Sequence, residues 1–242
     1  MVGSGMMFRT GILALLVCAG FTGAATDEVR LVGGSDDLAQ WREPRGDWFA
    51  ASAVTTNAEN PKLLAATAGQ GSIVNGKLGK TKDLLSKQEF GDAEIHVEFL
   101  IAQHSNSGVY VMGSYEVQIY DSFGVAKDKY PGIECGGIYQ RWENGKGFEG
   151  HSPRVNASKA PGEWQSFDIT FRAPRFDAAG KKTANAMMVK VVHNGQVVHE
   201  NVELTGPTRG GAAEKSVGPL RLQGDHGPVA YRNLIVRPLV AK

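Results

Sequence analysis

The chain has 242 residues, with 26 basic and 25 acidic side chains, and 42% of its residues are hydrophobic. A charge balance this close to neutral excludes the basic footprint of a nucleic-acid binder and the polybasic patch of an anionic membrane surface. Two cysteines, one of them in an apolar N-terminal segment, exclude a disulfide framework.

Residues 1–25 read as a signal peptide. Arg9 supplies the positive region, Gly11 to Phe21 the apolar region, and Gly23-Ala24-Ala25 the small residues of a cleavage site. The apolar run is too short to span a bilayer, so no transmembrane segment is expected. Cys18 offers an alternative, a lipid anchor, although Val17 before it is bulkier than the small residue such sites use. The expected location is periplasmic or extracellular, with residues 26–242 forming a single domain.

Beyond the leader, the pattern has period two nearly everywhere. Short helical turns fit near Asp36–Trp41 and Lys82–Leu85, but no long amphipathic helix does. Ile95, Val97, Phe99 and Ile101 alternate with Glu94, His96, Glu98 and Leu100. Two short strands follow over Asn106–Asp121, joined at Gly113-Ser114. Residues 121–162 lack strand periodicity and carry Tyr130-Pro131-Gly132, Cys135, Asn144-Gly145 and several aromatics. A long loop of this kind usually covers something. Cys135 is expected to be a small buried hydrophobe. Phe167, Ile169 and Phe171 then alternate with Ser166, Asp168, Thr170 and Arg172, which read as a plain exterior. Asn194-Gly195 between two strands signals a type I′ hairpin. Leu220 and Leu222 alternate with Arg221 and Gln223 before a Gly224–Gly227 turn, and a last strand runs from about Val229 to Val236. The sum is an all-β fold, specifically a jelly-roll β-sandwich of two antiparallel sheets.

One strand carries the functional signal. Val117 and Ile119 point one way, while Glu116, Gln118 and Tyr120 point the other. An acid, an amide and a phenol on one sheet face suit a polyol better than plain solvent. Asn106 stands at a strand mouth, where its amide can fix a sugar hydroxyl. His226 lies in a turn beside Asp225. Tyr139 and Trp142, in the long loop, offer rings on which a pyranose can stack. Glu98 and His96 share the non-core face of their strand. Oxygen ligands such as Glu116 and Asp121 could hold a hard cation such as Ca or Mn, and the sequence leaves the metal requirement open. Glu116 to Asp121 also resembles the Glu-x-Asp-x-x-Glu strand of retaining jelly-roll glucanases. An amide replaces the middle acid and an Asp the last, which impairs a double-displacement mechanism.

Several motifs in order resemble the 3-keto-disaccharide hydrolase domain family, formerly a domain of unknown function. They are Asp37-Leu38-x-x-Trp41, Phe90-Gly91-Asp92, Asn106-Ser107-Gly108-Val109-Tyr110 and Tyr115 to Asp121. Gly137-Ile138-Tyr139, Pro161-Gly162-Glu163-Trp164 and Asn194-Gly195 follow. The series closes on Gly218-Pro219-Leu220-x-Leu222-Gln223-x-x-His226-Gly227 and Tyr231-Arg232-Asn233-Leu234. The Asn-Ser-Gly strand of the family usually continues to an Arg, where this chain has Met112-Gly113. The resemblance implies a concanavalin-like jelly roll and action on 3-keto glycosides by elimination and hydration. It implies catalytic roles for Glu116 or Glu98 as base and His226 as acid or carbonyl polariser, with Asp121 assisting. Asn106, Gln118, Tyr110, Tyr139, Trp142, Gln223 and Arg232 would bind the sugar. The alternative is a non-catalytic, lectin-like carbohydrate-binding module of the envelope, with a sugar or glycoside as partner in either case.

Overall fold

The computed structural model describes residues 28–126, 134–208 and 213–240. The expected leader, the Cys18 lipid site and the Tyr130-Pro131-Gly132 turn lie outside the described residues. The period-two stretches form strands because alternate side chains can then reach one core. In chain order these are β1 (Val29–Val32), β2 (Phe49–Thr56), β3 (Leu64–Val74), β4 (Leu84–Phe90), β5 (Ala93–Ile101), β6 (Asn106–Val111), β7 (Tyr115–Tyr120) and β8 (Arg141–Glu143). They continue with β9 (Lys146–Phe148), β10 (Gln165–Arg172), β11 (Arg175–Phe176), β12 (Lys182–Ala184), β13 (Ala186–His193), β14 (Gln196–Leu204), β15 (Gly218–Leu222) and β16 (Val229–Pro238).

The fold is an all-β jelly-roll sandwich of antiparallel sheets. The larger sheet has the order β14-β13-β10-β5-β16-β3-β2, with β1 also paired to β16. The smaller has the order β4-β15-β6-β7. Between them lies one core. Ile95, Val97, Phe99, Phe167, Ile169 and Phe171 enter it from the larger sheet, and Val109, Val111, Val117, Ile119, Leu220 and Leu222 from the smaller. Ring contacts cross and line this layer, with Tyr115 against Phe171 at 5.4 Å and Phe99 against Phe167 at 4.7 Å. Each such side chain, fully buried, contributes about 1.5–3 kcal/mol. Cys135 is fully buried, and burial pushes its thiol up to about 12, which keeps it protonated and inert.

The expected hairpin at Asn194-Gly195 is present. Both residues take positive φ, and His193 pairs with Gln196. Of the two expected helical turns, the one at Asp36–Trp41 forms, with the N–H groups of Ala39 and Trp41 donating to the Asp36 and Leu38 carbonyls at 3.3 Å, and the other does not. Around Asp37 the backbone is bound by that carboxylate, which accepts from the N–H of Gly33 (2.6 Å), Gly34 (3.2 Å) and Gly71 (2.5 Å). Trp41 then bridges to Ser86, and its indole N–H donates to the Asp37 carbonyl. At Lys82–Leu85 the chain instead enters β4, because Leu84 and Leu85 pair with Leu222 and Arg221 of β15. The long loop also holds more order than its sequence suggests. It contains the β8–β9 hairpin turned at Asn144-Gly145, and Ile138 bridges Val117 on one side and His151 on the other. Among the described residues no helix is long and apolar enough to cross a membrane.

Candidate functional site

Since β6, β7 and β15 send Val109, Val111, Val117, Ile119, Leu220 and Leu222 to the core, their alternate residues face outward. Cross-strand register sets those outward residues in rows. Arg221, Tyr110 and Glu116 are neighbours across β15, β6 and β7. The next row holds Gln223, Gly108 and Gln118, with the Gln223 N–H donating to the Gly108 carbonyl at 3.0 Å. Asn106 opposes Tyr120 in the third, and its N–H donates to the His226 carbonyl at 3.2 Å. Residues 136–139 lie along the free edge of β7, where the Tyr139 N–H donates to the Glu116 carbonyl at 3.1 Å. The β8–β9 hairpin carries Trp142 to the rim, 42% exposed.

These residues enclose a cleft of about 210 Å³, lined by Asn106, Tyr110, Glu116, Gln118, Tyr139, Trp142, Thr208, Gln223 and His226. Glu116 sits at its floor and is only 2% exposed. Gly108 makes room for it, since a β-carbon there would lie 2.3 Å from Glu116 Oε1. Gln118, 1% exposed, is assigned with its amide nitrogen towards the Ser107 carbonyl (3.0 Å) and Glu116 Oε1 (3.1 Å). Thr208 Oγ1 accepts from the Glu116 backbone N–H at 3.0 Å. Gln223 is 5% exposed, and its Oε1 has no partner among the described residues. A buried acceptor left open beside a cleft is suited to a ligand hydroxyl, because leaving it unpaired costs about 1–3 kcal/mol.

The turn that carries His226 is held from below. Buried Asn75 donates to the carbonyls of Gly224 (3.0 Å) and Gly227 (2.8 Å) and accepts from the Val229 N–H (2.8 Å). His226 Nδ1 lies 2.5 Å from Asp225 Oδ1 and 3.3 Å from Gln223 Nε2, so both neighbours engage that nitrogen and Nε2 is left for a ligand. Arg221 stacks on the face of Tyr110, its guanidinium carbon 3.7 Å from the ring centroid.

Asn106, Tyr110, Glu116, Gln118, Tyr139, Trp142, Gln223 and His226 are thus brought together. Glu98 and Arg232 are not. They lie on the outer face of the larger sheet, where Arg232 Nε donates to Glu98 Oε2 and Asn233 Nδ2 to Glu98 Oε1, both at 2.7 Å. Arg232 also stacks over Trp164 at 4.1 Å. Burial alone would raise the Glu98 carboxyl, but the bonds from Asn233 and Arg232 outweigh it and hold it below the ordinary value. That makes Glu98 an ion-pair partner and a poor base. Asp121 lines no part of the cleft. Its Oδ2 accepts from the His104 N–H at 2.8 Å, which fixes the turn between β5 and β6. Glu116 and Asp121 are therefore not gathered as a cation site, and no group of three His, Cys, Asp or Glu among the described residues has that geometry. Glu116 is the one carboxylate lining the cleft among the described residues.

Sequence reasoning missed Thr208, Arg221 and Asn75. Arg221 carries a readable signal, alternating with Leu220 and Leu222. Thr208 and Asn75 sit outside the strands and have no periodic signature.

A family model described as the 3-keto-alpha-glucoside-1,2-lyase-like domain matches residues 27–237. The chain belongs to that family. It is accordingly a glycosyl-hydrolase-like, carbohydrate-active domain. A similar solved structure is a candidate glycosyl hydrolase from Parabacteroides distasonis ATCC 8503, 28% identical, covering 90% of this chain and 86% of its own at a TM-score of 0.62. A second candidate glycosyl hydrolase from the same organism is 20% identical, covers 79% of this chain and 99% of its own, and has a TM-score of 0.48. The β-glucanase of Bacillus licheniformis is 13% identical, covers 90% and 100%, and has a TM-score of 0.44. No curated protein matches the chain by sequence.

Proposed function

We propose that the chain cleaves 3-keto glycosides in the cleft on the smaller sheet, with Glu116 as the base. A ketone at C3 acidifies the proton on C2. Glu116 takes that proton, the C1–C2 double bond forms, and the C1–oxygen bond to the leaving group breaks. His226, protonated at Nε2, gives its proton to the departing oxygen, and water adds to the product in a later step. The route needs one carboxylate and one acid, with no covalent nucleophile. The observation that carries it is the cleft's inventory, which among the described residues is one carboxylate and one imidazole with hydrogen-bonding amides around them.

Asn106 and the open Oε1 of Gln223 serve ring hydroxyls, and Tyr139 and Trp142 provide flat surfaces for the sugar. Tyr110, with the Arg221 cation stacked on its ring, steadies charge on the C3 oxygen in this proposal. The similarity to candidate glycosyl hydrolases supports a carbohydrate substrate, and the family description supports the 3-keto form. A lectin-like module would bind through ring stacking and hydroxyl contacts alone, and Glu116 would then accept from a hydroxyl without moving a proton.

The test is turnover of a 3-keto disaccharide beside its unoxidised parent. We expect cleavage of the first and none of the second. No cleavage of any keto disaccharide, with binding retained, would replace the enzyme with the binding module. Export is part of the same proposal, supported by the apolar run after Arg9. Mass analysis of the mature N-terminus tests it and separates cleavage after Ala25 from lipidation at Cys18.

A further inference from the structure

A second cavity of about 230 Å³ adjoins the cleft, and the two share Tyr139 and Thr208 as walls. Its floor is apolar, from Ile138, Leu204 and the buried ring of Tyr115. Its mouth is polar. Arg141 Nη1 donates to Thr205 Oγ1 at 2.5 Å and to Glu149 Oε2 at 3.2 Å, and the Thr205 hydroxyl donates to Glu149. The Thr205 hydroxyl, ahead of Arg141, holds the Glu149 carboxyl below its ordinary value, so it is an anion at neutral pH. Arg141 Nε is buried with no partner among the described residues.

Neither cavity alone reaches the ~300 Å³ at the small end of ordinary ligand sites, whereas two side by side do. An apolar floor with a polar rim matches a pyranose, which has a flat C–H face and a circumference of hydroxyls. We propose that this cavity is a second sugar subsite, which receives the leaving-group ring of a disaccharide whose keto ring occupies the cleft. It rests on the function proposed for the cleft. Tyr139, common to both, then lies where the two rings are joined. Glu149 accepts from one hydroxyl of the second ring, and Thr205 meets its neighbour.

The subsite is tested by calorimetric titration with two probes, a 3-keto glucosyl-glucose disaccharide and methyl 3-keto-glucoside. Titrations use the Glu116→Gln protein, which leaves both probes intact. We expect the disaccharide to bind about tenfold or more tightly than the methyl glycoside, a gap of about 1.4 kcal/mol. Adding Glu149→Gln or Thr205→Val should weaken the disaccharide roughly three- to tenfold, the weight of one or two hydrogen bonds, and the methyl glycoside less than about twofold. Both residues are exposed, so either variant should fold. Equal loss for both probes, or no loss for the disaccharide, overturns the subsite and leaves the cleft's function standing. Binding of neither probe by any form overturns both.

Discussion

The absence of a side chain at Gly108 decides where the Glu116 carboxylate rests. The two residues are on adjacent strands of the smaller sheet, and a β-carbon on Gly108 would meet Glu116 Oε1 at 2.3 Å. The φ of Gly108 is not in the left-handed region, so alanine is allowed by the backbone there. Space, not conformation, is what the glycine supplies. Gly108→Ala should therefore fold with a melting temperature close to the parent's and lose activity roughly tenfold or more, since a displacement near 1 Å at a catalytic group can cost about 100-fold. Paired melting curves and kcat measurements check this. Parental kcat in the Gly108→Ala protein would mean that the carboxylate position is unimportant.

Asn75 touches no part of the cleft, yet its three bonds hold the turn that presents His226. Asn75→Ala leaves the Gly227 carbonyl and the Val229 N–H short of a partner in a buried place, and the Gly224 carbonyl with the Thr81 N–H alone. We expect a loss of about 2–4 kcal/mol in denaturant unfolding. Below the melting point, kcat should fall while the KM of a keto glycoside changes little. A pure stability loss with unchanged kcat would remove the positioning role.

Glu98 and Arg232 form an ion pair on the far side of the molecule, with side chains 21% and 38% exposed. Glu98→Gln should leave kcat/KM within about twofold of the parent and cost less than about 1 kcal/mol of stability, because partly exposed pairs are screened by solvent. A loss of activity on the scale of a missing base would return Glu98 to the site.

Asp92 gives the acid dependence of the fold. Burial alone would raise its carboxyl, but Arg175 binds it in two places (2.8 and 2.6 Å) and the Ala173 N–H donates to it, holding it below its ordinary value. A carboxyl lowered in the folded state stabilises above its unfolded pKa of about 3.9, and that stabilisation fades as pH falls through the folded value. Asp92→Asn should cost about 1.5–3 kcal/mol at pH 7 and shrink that difference at pH 3 and below. Unfolding free energies at both pH values measure it. An equal penalty at both would mean that packing, not charge, is what Asp92 contributes.

Much of the site was legible because β7 has strict alternation and its neighbours carry amides and aromatics at strand parity. Parity identifies the face that avoids the core. It does not say to which sheet a strand belongs, and Glu98 and Arg232 were misplaced for that reason. Gly108 was visible as part of a motif, but its purpose needs the register that sets it beside Glu116. Thr208 and Asn75 act through single backbone contacts from outside the strands, and such contacts leave no periodic trace. The turn expected at Asp36–Trp41 forms through its own backbone bonds, whereas the one expected at Lys82–Leu85 gives way to a strand, because a partner distant in sequence takes those backbone groups.

The most direct test of Glu116 as base follows the proton itself. A 3-keto glycoside in deuterium oxide, watched by NMR, reports loss or exchange of the C2 proton in the presence of the protein. With the parent chain we expect C2–H loss far above the protein-free rate, and with Glu116→Gln a fall of about 10²–10⁴-fold while the sugar still binds. Equal C2–H loss with both proteins would contradict the role given to Glu116.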